Sequence, residues 1–129
     1  MNHPESITAA VVDILADILD LDPSQATPEA YVVRDLQAES IDLLEIGVSM
    51  QHRLGIEVDD DTLFLKNMRK VLARAAKSGA APAEALAAEY PHLEAGRIEE
   101  ILADSGSGPV IKVRDLIAYA ADRAGERED

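Results

Sequence analysis

A serine hydroxyl takes part in chemistry when a neighbouring base activates it or when a second protein modifies it. Ser40 is placed for the second role. It sits in Asp35-Leu36-Gln37-Ala38-Glu39-Ser40-Ile41-Asp42-Leu43-Leu44-Glu45. Before it the pattern is not helical; after it, apolar residues recur at helical spacing. Serine is a favoured helix N-cap, because its oxygen accepts an unpaired N–H of the first turn. Asp42 then falls in that turn, where negative charge suits the helix dipole. The plain reading of Ser40 is therefore a cap. On a helical projection Ile41, Leu43, Leu44, Ile46, Val48, Met50 and Leu54 cover one broad side, and Asp42, Glu45, Ser49, His52 and Arg53 the other. A serine at an exposed helix tip beside an acidic stripe also suits modification by a partner that reads the helix.

Other chemistries find less support. Ser40 lacks the G-x-S-x-G elbow of a nucleophilic serine, and none of His3, His52 and His92 has a marked claim to reach it. Those histidines are not at metal-ligand spacing, and Asp59-Asp60-Asp61 lacks the glycine and terminal glutamate of a calcium loop; all read as solvated surface. Gly106 and Gly108 do not follow a strand, which argues against a phosphate loop. No catalytic residue and no metal site is expected.

The stretch from Asp35 to Glu45 resembles the acyl carrier protein signature D-L-G-x-D-S-L-D-x-x-E, and the similarity extends from about Ile7 to Asp61. Gln37 stands where glycine is usual, Glu39 where aspartate is, and Ile41 where leucine is. The resemblance implies that Ser40 carries 4′-phosphopantetheine through a phosphodiester. A phosphopantetheinyl transferase would attach the arm, whose thiol would pass acyl groups among acyltransferase-, ketosynthase- or acyl-ligase-type enzymes. It further implies docking by Asp35, Glu39, Asp42 and Glu45, and an apolar acyl cleft with Ile41, Leu44 and Val48 at its mouth. An aminoacyl or peptidyl carrier, or a carrier fold kept only for interaction, are the alternatives.

Composition sets bounds. The 129 residues suffice for one small domain, and 47% hydrophobic residues can form a core. The absence of cysteine fits a reducing, cytoplasmic setting, and no apolar run is long enough to span a membrane. Net charge is −13, unevenly spread: residues 1–65 hold 14 acidic and 2 basic side chains, whereas residues 66–77 hold 5 basic and none acidic. So acidic a chain argues against nucleic-acid binding and for basic partners met by steered encounter. A monomer is expected.

The elements needed to position Ser40 are helices, which makes the fold class all-α, and the resemblance implies a carrier-like four-helix bundle with extra inserted helices. Residues 1–129 read as one domain, with a core of 5–62 and 110–124 and an insertion of about 63–109. Ile7, Val11, Ile14, Leu15 and Ile18 share a face of the first helix, which ends near Pro23. A long loop follows, anchored by Tyr31, Val32, Val33 and Leu36. The Ser40 helix runs to Leu54, with Gly55 as its C′ residue. Phe64, Met68, Val71, Leu72 and Ala75 predict a helix whose other face carries Lys66, Arg69, Lys70, Arg74 and Lys77. Its basic face reads as solvated, as an internal match to the acidic half, or as a surface for acidic partners or anionic lipid. Further helices are expected from Pro82 to Tyr90 and from Glu94 to Asp104, packed on the core. A flexible Ser105–Pro109 link, a last helix near Ile111–Tyr119 and a frayed Glu126–Asp129 tail follow. Gly47, inside the Ser40 helix, is either tolerated or makes room for an acyl chain. The insertion predicts a longer or bulkier cargo than that of ordinary fatty-acid carriers; the competing reading is a docking platform for one dedicated enzyme, with the basic helix as its contact.

Overall fold

The structure, a computed structural model, describes residues 4–104, 106 and 108–128, the side chains of 4–6 and 126–128 excepted. Among these residues seven α-helices form: α1 Pro4–Leu19, α2 Ser40–Leu54, α3 Asp60–Leu63, α4 Met68–Ser78, α5 Pro82–Glu89, α6 Ala95–Asp104 and α7 Val113–Glu128. A single 3-10 turn, Pro23–Gln25, follows α1, and its Asp22 cap accepts the Ser24 N–H at 2.9 Å. Helix α1 packs on α2 and α7, α3 also meets α2 and α7, and α4, α5 and α6 pack in series.

Local chemistry accounts for most boundaries. Gly55 ends α2 with φ 63, and Gly79 ends α4 with φ 79, both left-handed conformations that glycine adopts without a Cβ penalty. Pro82 opens α5, where its missing N–H would have had no helical partner. The α1 stripe is buried as its spacing predicts: Val11 and Leu15 are fully enclosed, with Ile7 and Ile14 nearly so.

Several expectations change. The helix predicted across Phe64 and Met68 is broken: α3 ends at Leu63, Leu65 takes φ 57, and α4 starts at Met68. The last helix runs to Glu128 instead of fraying at Glu126. His92, read as solvated, is buried, with its ring edge-on to Tyr90 at 6.2 Å and to Tyr119 at 5.4 Å. His52 is exposed as read, and His3 lies outside the described residues, as do Ser105 and Ser107 of the link.

One apolar cluster runs through the whole molecule. Phe64, Val71, Leu86, Tyr90, Ile98 and Ile101 belong to it together with Val11, Ile46, Met50 and Leu116. The segment between α3 and α7 therefore packs on the bundle, as its small apolar faces require. A buried ion pair fastens it. Arg97 on α6 is 4% exposed and donates to Asp115 on α7 at 2.8 Å from both Nε and Nη2, and to the Val110 carbonyl at 2.6 Å.

Candidate functional site

The loop that delivers Ser40 is held from two sides. Val32 N–H donates to the Ile111 carbonyl at 3.0 Å, Val113 N–H to Ala30 at 3.0 Å, and Ala38 N–H to Val32 at 3.1 Å. Residues 30–38 thus lean on the start of α7. Val32 is fully buried, whereas Tyr31, Val33 and Leu36, expected as equal anchors, are half-buried. Tyr31 serves differently: its hydroxyl donates to Asp104 at 2.7 Å. Arg34 pairs with the same carboxylate at 2.9 Å and donates to the Pro109 carbonyl at 2.9 Å. Arg34 and Tyr31 together hold the Asp104 carboxyl below its ordinary range. This latch between loop and α6 was not foreseen. Its partners lie 70 and 73 residues apart, and no local spacing signals them.

Ser40 is the first residue of α2, not its cap. Glu39 holds the cap position in extended backbone, φ −98 and ψ 170. Asp42, at the third helical position, reaches back and accepts the Glu39 N–H at 2.8 Å. That bond satisfies the N–H of the cap residue, and Ser40, one position inside the helix, is not used as a cap. The Ser40 side chain is exposed, and its hydroxyl makes no hydrogen bond among the described residues. Two residues before the cap, Gln37 takes φ 61 at the point where the carrier signature has glycine. The backbone is left-handed here without the residue that adopts this conformation most cheaply.

The acidic candidates stand around this tip. Asp35, Glu39 and Glu45 are exposed and Asp42 half-exposed. Asp35 also accepts the Tyr31 N–H at 2.9 Å, so one of its oxygens stabilises the loop.

The broad apolar side of α2 divides in two. Ile46 and Met50 are fully enclosed. Ile41, Leu44 and Val48 are 59%, 53% and 52% exposed, a bare strip starting beside Ser40. Of these three, Val48 borders a cavity, of about 420 Å³, together with Gly47, Val58 and Asp60. A Cβ on Gly47 would stand 2.6 Å from Asp60 Oδ1, so this glycine admits the Asp60 carboxylate instead of opening room for a chain. A cavity of about 560 Å³ lies elsewhere, lined by Phe64, Leu65, Met68, Val110 and Ile111 and also by Lys66, Arg69 and Pro109. Ile111 is the residue whose carbonyl holds Val32, itself bonded to Ala38, two residues before Ser40.

The family described as "Phosphopantetheine attachment site" matches residues 9–74, the stretch that holds most of α1, the loop, α2, α3 and the first part of α4. The chain belongs to the acyl carrier protein family. An acyl carrier protein of Thermosynechococcus vestitus is 37% identical over 73 residues, 56% of this chain and 89% of that protein. One from Rubrobacter xylanophilus is 39% identical over 57 residues, 44% of this chain and 70% of its own. A meromycolate extension acyl carrier protein of Mycolicibacterium smegmatis is 32% identical over 101 residues, 78% of this chain and 94% of that protein. No solved structure matches the chain significantly.

This carrier protein therefore carries acyl groups on covalently attached 4′-phosphopantetheine and is not itself an enzyme. Its family works with phosphopantetheinyl transferases and acyl-handling enzymes. None of the described helices is long and apolar enough to cross a membrane. The all-α bundle inferred from the resemblance is the fold observed.

Proposed function

We propose that Ser40 is the attachment residue and that the cargo is a long or bulky acyl chain. The observation that carries the first half is the hydroxyl: exposed, unbonded and at the first position of a 15-residue helix. Helix starts present unpaired N–H groups that favour a phosphate, so the site suits a phosphodiester despite the nearby carboxylates. Asp42 keeps the backbone in register and the serine pointing outward. Once attached, the arm supplies a thiol that holds the acyl group as a thioester. Asp35, Glu39, Asp42 and Glu45 then meet basic surfaces of the transferase and of acyl-transfer enzymes of the acyltransferase, ketosynthase or acyl-ligase type.

The 560 Å³ cavity beside Ile111 supports the second half. Phe64 and Leu65, with Met68 at the start of α4, supply apolar lining beside Lys66 and Arg69, and Val110 and Ile111, just before α7, supply more. The relative aligned over 101 residues is named for meromycolate extension, which agrees with an extended cargo. Ile41 and Leu44, expected at the mouth of the cleft, face solvent here and are better placed to meet partner enzymes.

Intact mass tests the attachment. Co-expression with a broad-specificity phosphopantetheinyl transferase should add one arm, absent in Ser40→Ala with its helical circular dichroism kept. An adduct surviving that substitution overturns the assignment. Loading a chain-length series tests the cargo: amide protection of residues 63–104 should grow with chain length, and protection indifferent to length removes the cavity reading.

A further inference from the structure

The described cations of this protein fall into two groups. Arg34, Arg53, Arg97, Lys112 and Arg114 each hold a carboxylate, and Arg123 stacks over the Tyr119 ring. The five between residues 66 and 77 do not. Arg69, Lys70, Arg74 and Lys77 are exposed and make no ion pair among the described residues, and Lys66 lies over the Phe64 ring at 5.8 Å. In a chain with 25 acidic residues, this separation is an arrangement, not a shortage of partners. It sets aside the reading of this face as a match to the acidic half of the same molecule.

We infer that the outer face of α4 is a docking surface for an acidic protein segment. Lys70, Arg74 and Lys77 recur at four- and three-residue spacing on one side of the helix, with Arg69 beside them. The row from Arg69 to Lys77 spans about 12 Å at 1.5 Å rise per residue. A helix carrying carboxylates at the same spacing would lie along it. Charge complementarity selects a protein over a membrane. The apolar side of α4 is already spent on the core, with Val71 and Ala75 buried and Met68 and Leu72 packed against it. No apolar face is left to enter a bilayer, and a net charge of −13 opposes approach to an anionic surface. The same charge opposes nucleic acid.

The surface makes the protein two-signed. An enzyme that meets only the acidic tip of α2 needs one basic patch. An enzyme that meets α2 and α4 needs a basic and an acidic patch at fixed separation, and a partner with basic charge at both places is repelled from the second. Such paired attraction and repulsion is how one interface rejects near-relatives of its partner.

The test uses the full chain in Ser40→Ala form, so that its outcome is independent of arm attachment. A synthetic amphipathic peptide with Glu on one face and Leu on the other is titrated against the isotope-labelled protein. Phosphatidylglycerol vesicles are the second probe. The expected result is amide shifts confined to residues 66–78, lost as salt rises. Affinity should fall at least about tenfold in Lys70→Glu/Arg74→Glu, the loss of two close charge contacts. Both positions are exposed, and circular dichroism verifies that the variant keeps its helices. Equal peptide binding by the variant, shifts mapping elsewhere, no binding of peptide, or vesicle binding without peptide binding would each overturn the inference.

Discussion

Helices α2 and α7 begin on the same plan and are put to opposite uses. In each, an aspartate at the third helical position turns back to the N–H of the residue before the helix. Asp42 reaches Glu39 at 2.8 Å, and Asp115 reaches Lys112 at 2.9 Å. Nothing covers the first: Ser40 and Glu39 are exposed, and the bare strip of Ile41, Leu44 and Val48 follows. The second is sealed: Asp115 is 1% exposed and also takes both hydrogen bonds from Arg97. One local device thus yields an open tip or a closed joint, and a cation supplied from a distant helix decides which.

The largest test of that contrast is Arg97→Met. It strands a buried carboxylate and should cost about 3–5 kcal/mol in urea unfolding. Arg97→Met/Asp115→Leu should recover part of the loss, since it removes the stranded charge but leaves the Lys112 N–H and the Val110 carbonyl without these partners. A single-variant loss under about 1 kcal/mol would mean the joint is not closed by charge.

Two truncations compare the layer packed beneath α7 through α6 with the bare strip of α2. Ile101→Ala, in the fully enclosed face of α6, should cost about 2–5 kcal/mol. Leu44→Ala, in the bare strip, should stay within about 0.5 kcal/mol while lowering the rate of acyl transfer by a partner enzyme. Equal losses would show that the strip is packed in solution.

Asp42→Ala should cost about 1 kcal/mol, the usual value of a helix-start hydrogen bond. It should also slow arm attachment, more at low salt than at high salt. If stability falls but attachment and its salt response stay unchanged, Asp42 is a cap alone.

The smallest effect is one of pH, and it belongs to the α7 side only. Burial holds the His92 imidazole below its ordinary value of 6.5 against the opposing charges of Asp115 and Asp122, with Arg123 acting in the same direction as burial. Its ring faces Tyr90, whose hydroxyl burial pushes up to about 12, and Tyr119. The unfolded chain therefore binds the proton first. Stability is complete above about pH 6.5 and declines as pH falls from there toward the lower native value. His92→Phe should remove that part of the decline, read as the difference in unfolding midpoint between pH 7.5 and 5.5.

Much of this was legible in the chain itself. Ser40 to Leu54, Gly55, Gly79 and Pro82 follow from helical periodicity and backbone preference, which act within a few residues. The departures share a different origin. Serine is the better cap by propensity, yet Glu39 holds the cap position and Ser40 lies one position inward, with Asp42 bonding back to the Glu39 N–H. Leu65 breaks the helix at a place with neither glycine nor proline. His92 read as surface because burial of a polar side chain depends on partners far along the chain, Tyr119 for this one, as Asp115 is for Arg97 and Asp104 for Arg34. Ile41, Leu44 and Val48 read as the mouth of an apolar cleft, because spacing reports a stripe's existence and not what covers it.

The bare strip of α2 also bears on how this protein behaves in concentrated solution. Three exposed apolar side chains in a row are the kind of patch through which copies associate. A net charge of −13 keeps copies apart at neutral pH. That protection is not permanent. As pH approaches the isoelectric point of about 4.5 the repulsion vanishes, and salt shortens its reach at any pH. The acidity of the chain is thus also its colloidal stabiliser, allowing a surface made for brief contact with other proteins to stay uncovered without drawing the protein out of solution.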